Sequence, residues 1–230
     1  MPVVTCGDVL DQCYVIGGGT PTDANVIAAY LAGLNTAYAR VWSYAQAEGF
    51  TWAQRQGVGL AVSAAADNVI LPDGTTVLDT TAAIPPRCVS VVGVALDSTA
   101  RLLARMPKDR YEVSYGSLLG STRGTPLYFD PYGWNAARQQ ILWLMPLSAD
   151  ADVVYLDYVA GYTPLSTRAQ ELLVPVDERE LVAQLSIQHV NARDTIDEAI
   201  VRMSMIATEE LWRGLNARAA QYKARHPMVY

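Results

Sequence analysis

The sequence predicts an α+β fold: a helical bundle formed by N- and C-terminal helices, with a small antiparallel β-sandwich or barrel inserted between them. Three observations carry this. Apolar residues recur at helical spacing near both ends of the 230-residue chain. The middle holds short β-branched and aromatic runs broken by Pro and Gly, without the intervening helical patterns that a βαβ fold needs. No Gly/Ser-rich linker separates the parts, and neither set of helices can bury its apolar side alone. The expected organisation is residues 1–50 as N-terminal bundle helices, 51–175 as the β-rich insertion and 176–230 as C-terminal helices and tail, together one integrated unit.

Taken in order, Gly7 to Ile16 is a short periodic segment stopped by Gly17-Gly18-Gly19. Thr20-Pro21-Thr22-Asp23 then combines a capping hydroxyl, a proline suited to a first helical position and an acid three residues after the cap. Ile27, Tyr30, Leu31, Leu34, Tyr38, Val41, Trp42 and Ala45 follow at helical spacing, so a helix is predicted from Pro21 to Ala47, ended by Gly49.

In the middle, Leu71-Pro72-Asp73-Gly74-Thr75 reads as a turn between extended runs. Cys88 to Val94, bounded by Pro85-Pro86, reads as a strand. Tyr111–Tyr115, Pro126–Phe129 and Gln140–Met145 are shorter strand candidates. Asp152 to Val159 gives the clearest strand pattern. Leu102–Met106 reads as either a short helix or a loop. Beyond Pro175, Asp177-Glu178-Arg179-Glu180 resembles a helix cap, and Leu181, Val182, Leu185, His189 and Val190 share a side. Thr195-Ile196-Asp197-Glu198 restarts the pattern, and Ile196, Ile200, Met203, Ala207, Leu211 and Leu215 predict a packed stripe on a long helix.

Composition narrows the function. Hydrophobic residues make up 51% and charged residues 17%, which describes an ordered globular chain. The net charge of -6 argues against an electrostatic grip on nucleic acid, which needs clustered Lys and Arg. An acidic surface lets DNA slide past. No basic-then-apolar leader and no stretch of about eighteen apolar residues is present, so no signal peptide or membrane span is expected. The three cysteines, Cys6, Cys13 and Cys88, make an odd count without CxxC spacing. They read as buried, reduced thiols of a cytosolic protein.

The candidates for chemistry are few. His189 sits on the apolar side of a predicted helix, and His226 lies beside Pro227 near the end. With the three cysteines they form no zinc-ligand pattern, and no metal or cofactor is expected. Cys88 with His189 is the one conceivable thiol-histidine pair, but a thiol opening an apolar strand is inert. Gly116-Ser117-Leu118-Leu119-Gly120 lacks the register of a nucleophile elbow. Gly17-Gly18-Gly19-Thr20 lacks the lysine of a phosphate-binding loop and reads as a helix linker. Asp150, Asp152 and Asp157 cluster around the last strand, as solvated turn residues or as a paired-acid or metal site. No catalytic residue is assigned.

The C-terminal run is more informative. From Leu211 to Tyr230 there are four basic residues, Arg213, Arg218, Lys223 and Arg225, and no acids; the rest of the chain thus carries -10, because -6 minus +4 is -10. Trp212, Tyr222 and Tyr230 are interleaved with these charges. Cations at a helix C-terminus explain part of this. A surface that docks on an acidic, apolar partner explains it equally, and DNA contact is a third reading.

The order of features resembles the head-to-tail adaptor proteins that sit below the portal ring of tailed bacteriophages. The matching pieces are Asp23 to Trp42 with its Leu34-Asn35-Thr36-Ala37-Tyr38 core, the Leu71-Pro72-Asp73-Gly74 turn, Leu142-Trp143-Leu144-Met145-Pro146 followed by Val153 to Tyr158, and the acidic segment at Asp177 before two helices. They span nearly the full length. The resemblance implies a non-enzymatic virion protein of the neck, made in the host bacterial cytoplasm and assembled as a homo-oligomeric, twelve-fold ring. It implies a portal protein as partner above, tail or nozzle proteins below, and double-stranded DNA passing through the channel without specific binding. It gives Trp212, Arg213, Arg218, Tyr222, Lys223, Arg225 and Tyr230 a portal to dock on. A stopper or tail-completion protein, a β-rich carbohydrate- or protein-binding module, and a hydrolase using the acids near Asp150 or the Cys88 and His189 pair are the alternatives.

Overall fold

The computed structural model describes residues 4–64, 66, 68–75, 85–115, 123–191 and 197–225. The fold is α+β, with helices from both ends of the chain and a β-rich region inserted between them. It divides into two compact units, residues 1–53 with 164–230, and residues 54–163.

The helical unit holds α1 (Cys6–Ile16), α2 (Ala24–Glu48), α4 (Arg179–Asn191) and α5 (Glu198–Arg225). Helix α1 starts with a reciprocal cap: Asp8 N donates to Thr5 Oγ1 at 3.2 Å and Thr5 N donates to Asp8 Oδ2 at 2.8 Å. Helix α2 begins later than the Thr20-Pro21 signal predicts. Asp23 is its N-cap, accepting from the amides of Asn25 and Val26, because its carboxylate reaches two amides that a cap at Thr20 leaves bare. It ends at Gly49, whose φ of 74° is the left-handed conformation that glycine adopts without cost.

Helix α4 is the centre of the bundle. Leu181, Val182, Ala183, Leu185, Ser186, Ile187 and Val190 are all buried, as expected of a helix covered on most sides. It packs against α1, α2 and α5. The approach to α2 is close at Gly33, where a β-carbon would stand 2.9 Å from both Ser186 O and Val190 Cγ2. The acidic segment before α4 is not a cap. Residues Val176–Glu178 form a 3-10 turn, Pro175 supplies no capping side chain, and Glu178 is buried instead of solvated.

The returning chain belongs to the helical unit from residue 164 onward. Asn35 holds it by two bonds, Nδ2 donating to Leu165 O and Oδ1 accepting from Leu165 N at 2.9 and 2.7 Å. Leu173 N donates to Tyr38 Oη, and β1 (Val4–Thr5) pairs antiparallel with β12 (Glu171–Leu172).

The β unit has two four-stranded sheets. The first runs β2 (Gln54–Val62), β11 (Asp152–Ala160), β4 (Cys88–Leu96) and β5 (Arg101–Leu102), antiparallel throughout. The second runs β3 (Asn68–Ile70), β9 (Ile141–Met145), β8 (Tyr128–Asp130) and β6 (Ala104–Arg105), with β6 and β8 parallel. The short strands β7 (Arg123–Gly124) and β10 (Leu147–Ser148) also pair in parallel. Alternation buries Val154, Leu156, Tyr158 and Ala160 along β11, while Ile141, Leu142, Leu144 and Met145 are buried on β9.

Two expected elements differ. Tyr111–Tyr115 lies in helix α3 (Lys108–Tyr115), not in a strand. Asp130 accepts from Lys108 N at 2.8 Å, Lys108 pairs with Glu112 four residues on, and the Tyr111 and Tyr115 rings meet at the same spacing, tilted by 31°. Leu102–Met106 is neither helix nor loop but mainly two edge strands, β5 and β6. Thr195, Ile196 and Gly116 to Gly120 lie outside the described residues.

Candidate interaction site

Helix α5 carries most of the expected partner-binding residues. Its start is capped by Asp197, whose carboxylate accepts from Ala199 N at 2.8 Å. Beyond it the helix turns Val201, Ser204, Leu215 and Ala219 into the bundle. The predicted stripe through Met203, Ala207 and Leu211 is therefore rotated from the buried one. The polar Ser204 accounts for this: its hydroxyl donates to Gln184 O at 2.7 Å, and Gln188 Nε2 reaches Thr208 Oγ1 at 2.7 Å. A polar seam between α4 and α5 thus takes positions that a purely hydrophobic pattern assigns to apolar residues. Met203 and Ile206 are left 72% and 65% exposed. Beside them, Ile16, Gln184, Ile200, Met203 and Ala207 line a shallow, mostly apolar cavity of about 290 Å³.

Basic and aromatic residues further along α5 have partners within the helical unit. Trp212 packs on Tyr44, ring centroids 5.0 Å apart, with the Arg40 guanidinium 5.6 Å from its indole centroid. Tyr222 lies 6.0 Å from the Phe50 ring. Lys223 pairs with Glu48 at 2.8 Å, and Arg218 Nη2 donates to Glu178 Oε1 at 2.7 Å. Arg213 pairs only with Glu209 one turn back, on the exposed side. The side chain of Arg225, and all of His226 and Tyr230, lie outside the described residues.

Glu178 is the acid of this group whose titration is shifted. Burial raises its carboxyl above the ordinary carboxylate value, and the Arg218 charge pulls against that rise. Its side chain is 4% exposed while that of Arg218 is 46% exposed, so the pair joins a buried acid to a half-solvated base. His189 is half-buried on α4, its imidazole held below the ordinary value by burial and by the Arg40 charge.

The other candidates are accounted for locally. Asp152 accepts from Ser98 Oγ at 2.6 Å, from Ser98 N and from Val153 N. Burial alone raises its carboxyl, but these bonds together hold it below the usual carboxylate value. Asp157 accepts from Gly57 N at 2.8 Å where β2 and β11 shift register. Both acids brace backbone. Asp150 and Asp152 border an open cavity of about 100 Å³ with Ser98 and Pro126. Cys88 is buried in the β unit and His189 belongs to the helical unit. Burial, offset in part by the Arg87 charge, pushes the Cys88 thiol up to about 12, which leaves it protonated and a poor nucleophile at neutral pH. Cys13 is also pushed up to about 12 by burial. Gly17 closes α1 as its C-cap, its amide donating to Cys13 O.

Among the described residues no group of three or more His, Cys, Asp or Glu side chains is placed to hold a metal ion, and no helix is long and apolar enough to cross a membrane.

Two features escaped the sequence reading. Met203, counted in the packed stripe of α5, is exposed, and so is Ile206, which lies outside that stripe. Tyr132 and Trp134 look like sheet-packing aromatics, yet they are 72% and 65% exposed. The clustering of polar, turn-forming residues after Trp134, Asn135-Ala136-Ala137-Arg138-Gln139-Gln140, is the signal that separates them from core aromatics. No protein-family profile matches the chain, and no curated protein matches it in sequence.

Proposed function

We propose that the chain is a structural subunit of a ring: the adaptor between portal and tail in the neck of a tailed bacteriophage. The observation that carries this reading is a pair of different apolar surfaces, one on each unit. The helical unit presents Met203 and Ile206 as exposed residues of α5. The β unit presents Val89, Val92 and Leu102 on β4 and β5, all at least half exposed. A closed ring is built from heterologous contacts, in which one patch of a subunit meets a different patch of its neighbour. Apolar residues exposed in this number are a cost for an isolated chain and an asset for an assembling one.

In this reading the acidic body, net charge -6, lets double-stranded DNA pass through the channel without specific binding. Arg218 and Lys223 stabilise the subunit itself. Contact with the portal falls to Arg213, exposed beside the Met203 and Ile206 face, and to the residues from Arg225 onward. Tail or nozzle proteins dock below. Retention of the packaged genome follows from the plug that such a ring forms with its neighbours.

The test is Met203→Asp with Ile206→Asp. Both side chains are exposed, so the variant keeps the melting temperature of the parent chain. Sedimentation velocity in the presence of portal is expected to show the parent in a large assembly and the variant as a free subunit. A variant that assembles as the parent does removes this face from the interface.

A further inference from the structure

The β unit contains a small cavity lined by both polar and apolar residues. Its volume is about 220 Å³, which accommodates one six-membered sugar ring, and its walls include Asp73, Arg87, Trp134, Arg138, Gln139 and Gln140. We propose that it binds one acidic saccharide unit, a uronic acid, with Trp134 as the stacking surface and the guanidinium groups of Arg87 and Arg138 as donors to its carboxylate.

Four observations support the assignment. The first is the tryptophan. Trp134 lines the cavity and is 65% exposed, which leaves indole surface open to a ligand. An aromatic face beside polar groups suits the apolar C–H face of a sugar, whose rim carries hydroxyls. The second is the balance of groups. One carboxylate, two guanidinium groups and two primary amides supply both acceptors and donors, as a polyhydroxylated ring demands. The sum is +1 in a chain of net charge -6, a local reversal of sign. Among the described residues neither Arg87 nor Arg138 has an ion-pair partner. Paired guanidinium donors on a single ligand point to a carboxylate.

The third observation is rigidity. Leu71 N donates to Gln140 O at 2.9 Å and Cys88 N to Pro72 O at 2.7 Å, so the three backbone segments forming the walls are tied to one another. Trp134 bridges to Gln140, and Ile141 N donates to Gly133 O at 3.0 Å. The Asn135 carboxamide bonds to Gln139 twice, at 2.9 Å each, and Thr75 N fixes the Asp73 carboxylate at 2.7 Å. The site is thus ordered before a ligand arrives, which limits the entropy that binding must overcome. The fourth is strain. Arg138 has a φ of 59°, the left-handed region that an L side chain adopts at a cost, and Arg138 N donates to Asn135 O at 2.9 Å in this conformation. The strained residue is one of the two cationic residues that line the cavity.

A nucleotide, with a base, a ribose and a phosphate, is the nearest rival, and the titration below separates the two. A single sugar ring also sets the expected strength: one small ligand in an open site binds in the millimolar range. Useful affinity then comes from repetition, either along a polysaccharide or across the copies of an assembly.

The experiment is a titration of the full-length, nitrogen-15-labelled protein with methyl β-D-glucuronide, followed at the indole N–H resonance of Trp134, with methyl β-D-glucoside and AMP in parallel. The expected result is saturable movement of that resonance, with the glucuronide binding about tenfold more tightly than the glucoside. Arg138→Gln brings the glucuronide down to the level of the glucoside, and Trp134→Ala abolishes binding of both, read on the backbone amide of Gln140. Both side chains are exposed, so far-UV circular dichroism of the variants matches the parent. Absence of a saturable shift overturns the proposal, as does binding that survives Trp134→Ala. Tighter binding of AMP than of the glucuronide also overturns it, in favour of a nucleotide site.

Discussion

Replacing Arg218 by methionine tests how α5 is fastened to the bundle. The change keeps most of the aliphatic stem and removes the guanidinium. Glu178 is then left 4% exposed without its charge partner, having lost a 2.7 Å bond. Breaking a fully buried pair this way costs about 3–5 kcal/mol. Arg218 is 46% exposed and water already screens its side of the pair, so the expected loss is smaller, about 2 kcal/mol. Arg213→Met is the control. Its pair with Glu209 is exposed on both sides, and its loss costs about 0.5 kcal/mol or less. Adding Glu178→Gln to Arg218→Met removes the stranded charge and recovers more than half of the loss. The sign of the pH dependence follows from the raised carboxyl of Glu178. A raised folded value means that the folded state takes up the proton more readily than the unfolded chain. The associated stability is fully present below the unfolded value, and it is lost as pH rises through the folded one. Without Arg218 the carboxyl moves further up, so the penalty of Arg218→Met is expected to shrink on acidification from neutral pH toward about pH 5. The assay is urea unfolding followed by far-UV circular dichroism, which tracks the helical unit. Equal midpoints for Arg218→Met and Arg213→Met, or a penalty that grows on acidification, refute the reasoning.

Other substitutions have defined outcomes. Gly33→Ala forces a β-carbon to within 2.9 Å of Ser186 O and Val190 Cγ2, and is expected to destabilise the α2–α4 contact by about 1–3 kcal/mol in a thermal melt. His189 has its folded value lowered by burial and by Arg40, so its contribution to stability is full above the ordinary imidazole value and is lost as pH falls through that window toward the folded value. His189→Gln flattens this part of the stability profile, measured as the urea midpoint between about pH 7.5 and pH 5.5. Asp152→Ala removes the acceptor of Ser98 Oγ, Ser98 N and Val153 N and is expected to cost about 1–2 kcal/mol by urea unfolding, with assembly on the portal unchanged; loss of assembly at retained folding assigns the acid a role beyond bracing.

The legible parts of the fold were those in which one physical signal dominates. Strand β11 shows its two-residue alternation because one face packs and the other does not. Helix α2 has a long apolar stripe and a glycine stop. Strand β2 was hidden because Gly57 and Gly59 interrupt its pattern, and its place is set by pairing with β11 across nearly a hundred residues. Helix α3 was hidden because Tyr111, Val113 and Tyr115 alternate like a strand, while the Asp130 carboxylate and the Lys108–Glu112 pair that favour helix come from a distant strand and from a charge pattern. On α5 the error was one of rotation. Ser204 and Thr208, bonded to Gln184 and Gln188, occupy the inward side that the apolar count assigned to Met203 and Ala207. The same rotation leaves Met203, an expected core residue, exposed beside Ile206. The acids that pair with Arg218 and Lys223, Glu178 and Glu48, are supplied by other elements, which spacing along one helix does not reveal.

The adaptor reading is tested most directly by mass photometry of the purified chain, alone and mixed with a portal protein from the same genome. The account predicts a discrete gain in mass on mixing, equal to one copy of this chain per portal subunit, and loss of that gain in the Met203→Asp, Ile206→Asp variant. A chain that leaves the portal mass unchanged under conditions where both are folded contradicts it.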